Sequence, residues 1–488
     1  MLLNDIKLFS SEIILIICSV FILMYGIFFK DNSQSIKNIF YISVLSLILS
    51  FYSIIYFVNP EISFFNNLLI NDTFTLFFKK IVLIGTIVII LISYNYLIDL
   101  EIIKPEFFFL ILLSTVGILI LISSRNILSM YLGLELQSIC LYILAAYKTN
   151  DIKSSESGIK YFIIGALSSG ILLYGLSIIY GFTNATDFYE ISESIKLSLQ
   201  NDENFLILNI GFVLILSGLF FKIAVVPFHM WAPDVYEGSP TSITAFFTTI
   251  PKIGALAFLI KFLNIPFENY YSAWFQILYV VSIFSMIYGS IVAINQSNIK
   301  RLLAYSSINH MGFLLIGILV GTQTGIKSIQ LYLVIYMISV LGLFTCVLSL
   351  KNKSNEFYLE NIEDFSGLIK KNSFVAFSFA VLLFSIAGLP PLAGFFGKLY
   401  ILISAIESKL YILSIVAILT SIVSAFYYLR IIKIIFFDEP VNDISVNTSI
   451  VSKLIIIISI IFSITLILFV SDILELINST SILTLTNL

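Results

Sequence analysis

The stretch Leu219-Phe220-Phe221-Lys222-Ile223-Ala224-Val225-Val226-Pro227-Phe228-His229 puts a lysine inside an apolar run and breaks that run with a proline five residues later. A charge at mid-bilayer costs about 2.5–3.5 kcal/mol even on the mildest insertion scales, so such a residue points to function. Proline removes a backbone donor and clashes with the preceding turn, and in a membrane the broken backbone is tolerated only inside protein or beside water. Outward from this stretch the combination recurs once. Gly388-Leu389-Pro390-Pro391 interrupts another apolar run, and Lys398 follows on the resumed helix. Two further charges stand inside apolar runs, Lys252 directly after Pro251 and Glu135 within Met130-Tyr131-Leu132-Gly133-Leu134-Glu135-Leu136-Gln137. Only 11% of the 488 residues are charged, so these four positions are where a mechanism is to be sought.

The rest of the composition defines the class. The chain is 59% hydrophobic and 15% aromatic, with a mean hydropathy of +1.05, whereas soluble domains carry roughly 25% charged residues. A spanning helix needs about 20 mostly apolar residues. About fourteen runs qualify, near 11–29, 39–58, 79–98, 107–124, 126–147, 158–181, 205–227, 242–263, 273–295, 300–320, 328–350, 373–389, 410–436 and 451–471, with a short apolar piece after Pro391 completing the twelfth. A barrel would show short alternating strands, so long continuous runs mean helices. The expected fold is an all-α polytopic membrane protein. Paired interrupted segments mark inverted-repeat transporters and their sites, and breaks in helices 7 and 12, five helices apart, predict two inverted five-helix repeats, helices 4–8 and 9–13. That divides the chain into 1–100, 101–270, 271–440 and 441–488. Arg125 opens helix 5 with Glu135 ten residues later, and Lys300-Arg301 opens helix 10 with His310 nine residues after Arg301, a correspondence in keeping with the repeat.

Several functions are excluded. The net charge of −3 comes with no basic patch, so nucleic acid is not a partner. The longest polar stretches, 182–204 and 351–372, are too small for a nucleotide or redox-cofactor fold, and no Gly-rich or Walker loop is present. Cys18, Cys140 and Cys346 lie in separate spans without metal-ligand spacing and read as packing residues. The N-terminus mixes Asp5, Lys7 and Glu12, so no cleavable leader is expected. Ile, Phe, Asn, Lys and Ser outweigh Ala and Arg, pointing to an AT-rich genome, mitochondrial or bacterial. Loops after odd-numbered helices hold fifteen Lys and Arg, Lys30 among them, against eight on the other side, where Lys79 and Lys261 are counted. The positive-inside rule then puts the odd loops in the matrix or cytoplasm and both termini on the intermembrane-space or periplasmic side.

The buried charges suggest chemistry. Glu135 lies about 15 Å into its helix, too deep to snorkel. Lys222 is similarly deep, and their mutual pairing is the economical expectation. A lysine held out of water exchanges its proton readily. With Glu135 close, Lys222 keeps its proton; on separation it can pass it to Lys252, with Lys398 the next station. His310, inside helix 10, is a candidate relay, and His229, after the first break, is expected near a water interface. The Gly165, Gly170 and Gly175 series reads as helix packing.

At these residues a family resemblance enters. Phe221-Lys222-Ile223-Ala224-Val225-Val226-Pro227-Phe228-His229-Met230-Trp231-Ala232-Pro233-Asp234-Val235-Tyr236-Glu237-Gly238-Ser239-Pro240-Thr241 resembles the signature of the antiporter-like subunit N family of respiratory complex I, known in mitochondria as NADH dehydrogenase subunit 2. Glu156-Ser157-Gly158-Ile159-Lys160-Tyr161-Phe162, Pro251-Lys252-Ile253, Lys300-Arg301-Leu302-Leu303-Ala304-Tyr305-Ser306-Ser307-Ile308 and Gly388-Leu389-Pro390-Pro391-Leu392-Ala393-Gly394-Phe395-Phe396-Gly397-Lys398 are similar to it as well, so the match extends over about 100–440. Asn309 departs from the glycine that many relatives carry.

The resemblance implies fourteen helices and a place in the proton-pumping arm of NADH:ubiquinone oxidoreductase, beside other antiporter-like subunits, lipids and internal water. It gives the switch pair to Glu135 and Lys222, the central relay to Lys252 and the distal station to Lys398. It also implies that this chain binds no cofactor, with NADH, FMN, iron–sulfur clusters and quinone held by other subunits. Lysine at 398 argues against the related subunit M type, which has glutamate there, and no long C-terminal lateral helix of the subunit L type is present. The implied home is the mitochondrial inner membrane or a bacterial cytoplasmic membrane. A Mrp-type cation/proton antiporter subunit and an inert spacer of the membrane arm are the alternatives.

Overall fold

The computed structural model describes residues 2–29, 33–58, 62–200, 205–353, 357–441 and 443–478; Lys30, one of the fifteen odd-loop cations, lies outside them. All fourteen spans are present: Ser10–Phe28, Ser33–Tyr56, Thr73–Asp99, Pro105–Ser123, Ile127–Ala145, Ile152–Thr183, Phe205–Ile223, Thr241–Asn264, Tyr271–Ile294, Ile299–Leu319, Gln323–Val347, a twelfth in two limbs, Ser373–Ala387 and Ala393–Glu407, then Tyr411–Phe437 and Ile450–Asn478. Thirteen helices are long and apolar enough to cross a membrane; the interrupted twelfth is the exception. The spans begin where the sequence supplies a start. Asp72 and Thr75 form a reciprocal capping box, Pro105 opens the fourth span, and Asn126, Asp151, Asn298 and Asn372 cap with their side chains.

Two halves show the same construction. The backbone N–H of Ile127 donates to the Thr186 carbonyl (2.9 Å) and that of Phe188 to Arg125 (3.0 Å); in the second half Ile299 donates to Glu360 and Ile362 to Ser297, both at 2.8 Å. The second span of each repeat, the fifth and tenth of the chain, is thus clasped by the loop that follows the next span. The helix sides of the clasps are offset by 172 residues and the loop sides by 174, since Asn126 bridges Asp187 as Asn298 bridges Asn361. Helix packing keeps the helix-side offset. A Cβ on Gly117 would lie 2.6 Å from the Gln137 nitrogen, and one on Gly289 2.7 Å from that of Asn309. Only glycine lets these helix pairs approach so closely. Five being odd, the second unit is inverted relative to the first. The offset corrects one expectation, because it aligns His310 with Ser138 and Glu135 with Ser307 rather than His310 with Glu135.

The eighth and tenth spans are enclosed along their whole length, whereas the first, second, sixth, thirteenth and fourteenth present exposed Ile, Leu and Phe outward. Two small two-stranded sheets, the first a hairpin, tie the ends. Ile62–Phe64 pairs antiparallel with Leu69–Asn71 (Ser63 opposite Ile70) on the face of the even loops, and Leu350–Asn352 pairs with Ile444–Val446 (Lys351 opposite Ser445) on the face of the odd loops.

Candidate functional site

Both helix breaks are built alike. Ala224 (φ 57°) and Gly388 (φ 85°) end the first limbs in the left-handed region, the seventh-span limb continuing after the break as the short helix Trp231–Gly238. Val225 donates back to the Phe220 carbonyl at 3.2 Å, and Leu389 back to Phe384 at 3.1 Å, both closing the end of a helix. Breaking a helix frees carbonyls that need donors. At the first break the Trp231 indole Nε1–H takes the Phe221 carbonyl at 3.0 Å, while the Val226 N–H finds Ser285 Oγ at 3.0 Å. At the second, the Lys398 ammonium itself takes the Ala387 carbonyl at 2.8 Å, and the Gly394 N–H finds Ser385 Oγ at 3.2 Å. Lys222 therefore precedes its break and Lys398 follows its own, so the two lysines approach from opposite limbs.

Lys222, Lys252 and Lys398 are all buried. No carboxylate lies within ion-pair distance of any of them among the described residues. Each holds one neutral oxygen and looks onto an aromatic face. Lys222 donates to Ser138 Oγ (2.5 Å) with the Tyr142 ring 5.8 Å away, Lys252 donates to Ser307 Oγ (2.7 Å) above Tyr236 at 5.3 Å, and Lys398 lies 5.2 Å from the Phe313 ring. The expected closed pair of Glu135 and Lys222 is thus open. Glu135 is half-buried one turn before Ser138, within electrostatic reach of Lys222 but not in contact. Its helix turns an apolar stripe outward, Leu128, Leu132, Ile139 and Ile143 being exposed, and the carboxylate lies at the border of that stripe.

Between the lysines of the two repeats lies His310. Its Nδ1 meets Tyr332 Oη at 2.6 Å and its Nε2 meets Tyr428 Oη at 3.3 Å, with Tyr428 bonded in turn to Ser306. Lys252 is held at Ser307, one turn before His310 on the tenth span, and Lys398 lies over Phe313, one turn after it. Tyr332, Tyr428 and Ser306 were not distinguishable in the sequence from ordinary aromatic and hydroxyl packing. His229 differs from expectation. It is buried against Tyr288, with ring centroids 4.6 Å apart, rather than at a water interface, because the short limb after Pro227 tucks it against the ninth span.

On the odd-loop face a charged cavity of about 220 Å³ gathers Lys153, Glu156, Lys160, Asp234, Glu237 and Arg301. Arg301 pairs with Asp234 (2.8 Å) and Glu237 (3.0 Å), and Lys160 pairs with Asp234 (3.1 Å) and Glu156 (2.7 Å). The motifs around 156–162, 234–238 and 300–301 thus meet in one network. Lys79 and Lys261, counted among loop cations, are instead fully buried. Among the described residues no group of His, Cys, Asp and Glu could hold a metal ion.

Removing the Lys222 anchor gives a direct check. Ser138→Ala keeps the helix and leaves the ammonium without its one hydroxyl partner, which costs about 1.5–3 kcal/mol for a hydrogen bond to a charge. We expect assembled protein with lowered heat resistance, measured as native-gel abundance after heating steps.

Two inverted five-helix units, each broken beside a buried lysine and bridged by a third, Lys252, which reaches Ser307 of the second unit, define an antiporter-like membrane protein. The chain belongs to the NADH:quinone oxidoreductase/Mrp antiporter transmembrane family, whose profile matches residues 124–424. It is 44% identical over 428 residues to NADH-quinone oxidoreductase subunit N of Parvibaculum lavamentivorans, covering 88% of this chain and 87% of that one. To the subunit N of Pelagibacter ubique it is 45% identical over 439 residues, covering 89% and 90%. Among solved structures, respiratory complex I from Thermus thermophilus holds a chain of the same fold, with TM-score 0.79 and 26% identity over 96% of this chain and all of that one. A chain of the Mrp complex from a Dietzia species shares the fold at TM-score 0.81 and 18% identity, over 98% of this chain and 97% of that one.

Proposed function

We propose that the chain is the antiporter-like subunit N of a proton-translocating NADH:quinone oxidoreductase and carries protons through Glu135, Lys222, Lys252 and Lys398, with His310 as the relay between the last two. The observation that carries this is the state of the three lysines. Each is buried, each holds a single neutral hydrogen-bond acceptor, and none touches a carboxylate among the described residues. An ion pair built for stability would be closed; a buried ammonium without a contacting counter-ion can give up its proton when its surroundings shift. The open Glu135–Lys222 pair is the element that shifts. Closing it holds the proton on Lys222, and opening it releases the proton towards Lys252, His310 and Lys398.

Redox energy comes from neighbouring subunits, which hold NADH, flavin, iron–sulfur clusters and quinone; this chain binds none of them. The relatives named above are bacterial, which supports a cytoplasmic membrane over a mitochondrial one, with the odd loops inside and both termini outside. His229 packs against an aromatic ring rather than along the line of lysines, so it holds the break in place.

Lys252→Met tests the reading. It keeps the volume of the side chain and removes the proton carrier at the junction of the repeats. Protons moved per NADH oxidised should fall, and an unchanged ratio would leave the chain an inert spacer. Pumping that depends on sodium or potassium rather than on NADH would favour the Mrp-type alternative.

A further inference from the structure

The even-loop end of the first repeat contains a second set of buried charges that the line of lysines does not use. Lys79 of the third span pairs with Glu12 of the first at 2.8 Å and donates to Asn71 Oδ1 at 2.8 Å; all three residues are buried. Asp72 is buried as the cap of the third span, accepting from the Thr75 N–H at 2.6 Å. Facing them is Lys261, 1% exposed, whose one hydrogen bond goes to the Ile122 carbonyl at 3.3 Å. No carboxylate is within ion-pair distance of it among the described residues; the charged groups in electrostatic reach are Asp72, Lys79 and Arg125. Arg125 is committed to Asp187 at 2.8 Å, and Lys79 to Glu12. With those two pairs closed, an ionised Asp72 is balanced only by a protonated Lys261, its unclosed partner.

This repeats the arrangement at Lys222: a buried lysine on one neutral oxygen, and an acid on a neighbouring helix in reach but not in contact. Nine residues after Lys252 puts Lys261 about 13 Å further along the eighth span and on its opposite side. It faces the third and fourth spans rather than the tenth, so it does not simply prolong the line of lysines.

We propose that Lys261, with Asp72 as its partner across the gap, is a further proton-exchanging site of this subunit, set where the first repeat meets the even-loop face. The inference rests on the proton-translocation reading above. In the step, the Lys261 amine takes an excess proton carried by internal water (a hydronium, which becomes neutral water) and becomes an ammonium. On closing towards Asp72 it passes that proton to the carboxylate, which leaves a neutral amine and a neutral acid, and Asp72 then releases the proton to water on that face. Only N–H and O–H bonds form and break.

The test compares Lys261→Met, Lys261→Arg and Asp72→Asn with Lys252→Met in the assembled complex, reading protons moved per NADH oxidised in sealed vesicles. Arginine keeps the charge and the hydrogen bond but does not release its proton. Asparagine keeps the helix cap but not the acid. The expected result is that all three lose the same share of the ratio while assembly persists. Should Lys261→Met fail to assemble, Lys261→Arg and Asp72→Asn carry the comparison. A wild-type ratio in Lys261→Arg or in Asp72→Asn makes the cluster a structural counter-charge and overturns the proposal. If the Lys261 and Asp72 variants pump normally and Lys252→Met does not, only this site falls. If Lys252→Met also pumps normally, the translocation reading itself falls.

Discussion

Lys222→Ala is expected to reduce NADH-driven proton pumping in sealed vesicles by about tenfold or more, the low end of what one positioned acid–base group contributes. NADH oxidation with an artificial acceptor should continue at the wild-type rate, because that chemistry belongs to other subunits. The reason lies in the position of the ammonium. It is buried in the first limb of the broken seventh span and held there by Ser138 Oγ. Alanine leaves Glu135 without the cation that it addresses and the junction lysine without a donor. Complex levels on native gels should stay near wild type, since the lost side chain closes no ion pair with a carboxylate. Pumping that survives in full would make the buried charges structural.

The second large effect is steric. A Cβ on Gly394 would lie 1.7 Å from the Ser385 carbonyl oxygen, a contact between two pieces of backbone that no side-chain rotation relieves. The same N–H of Gly394 is bonded to Ser385 Oγ, so the second limb of the twelfth span rests directly on the end of the first. Gly394→Val should force the limbs apart at a cost of about 3 kcal/mol or more, the upper range for overpacking, and deplete the assembled complex. Gly170→Ala is the control, because nothing lies within 4 Å of the added carbon. Native-gel abundance after heating steps separates the two. Equal heat resistance would show that the limbs can part without loss.

The two breaks and the burial of Lys222, Lys252 and Lys398 were legible in the sequence, because a charge in an apolar run close to a proline marks a place where the helix must be supported inside protein. The partners were not. Pairing Glu135 with Lys222 follows from charge alone, but the helix turns Ser138 towards the ammonium and leaves the carboxylate at the lipid-side border, and only three-dimensional register decides that. Lys79 and Lys261 were misjudged for a related reason. Each lies within two turns of a helix end, where a lysine in sequence looks the same whether it reaches for water or meets Glu12 or the Ile122 carbonyl inside the protein. The repeat was visible as paired breaks five helices apart. Its register was not, since Asn126 and Asn298 acquire meaning only once their clasps are seen.

The enclosed eighth and tenth spans bear on how the chain is made. They hold Lys252, Lys261, Asn309 and His310, and their mean hydropathy is below that of most of the outer spans. Lipid never becomes their solvent in the finished protein, so nothing requires them to be stable in lipid alone. During synthesis, however, they leave the ribosome before the eleventh span and the second limb of the twelfth, which help to shield them. They must therefore be sheltered in transit, by the earlier helices or by the insertion machinery, until the later ones arrive. Biogenesis of this subunit is in that sense a problem of order, and a pause or truncation after the tenth span would strand its most polar helices at the rim.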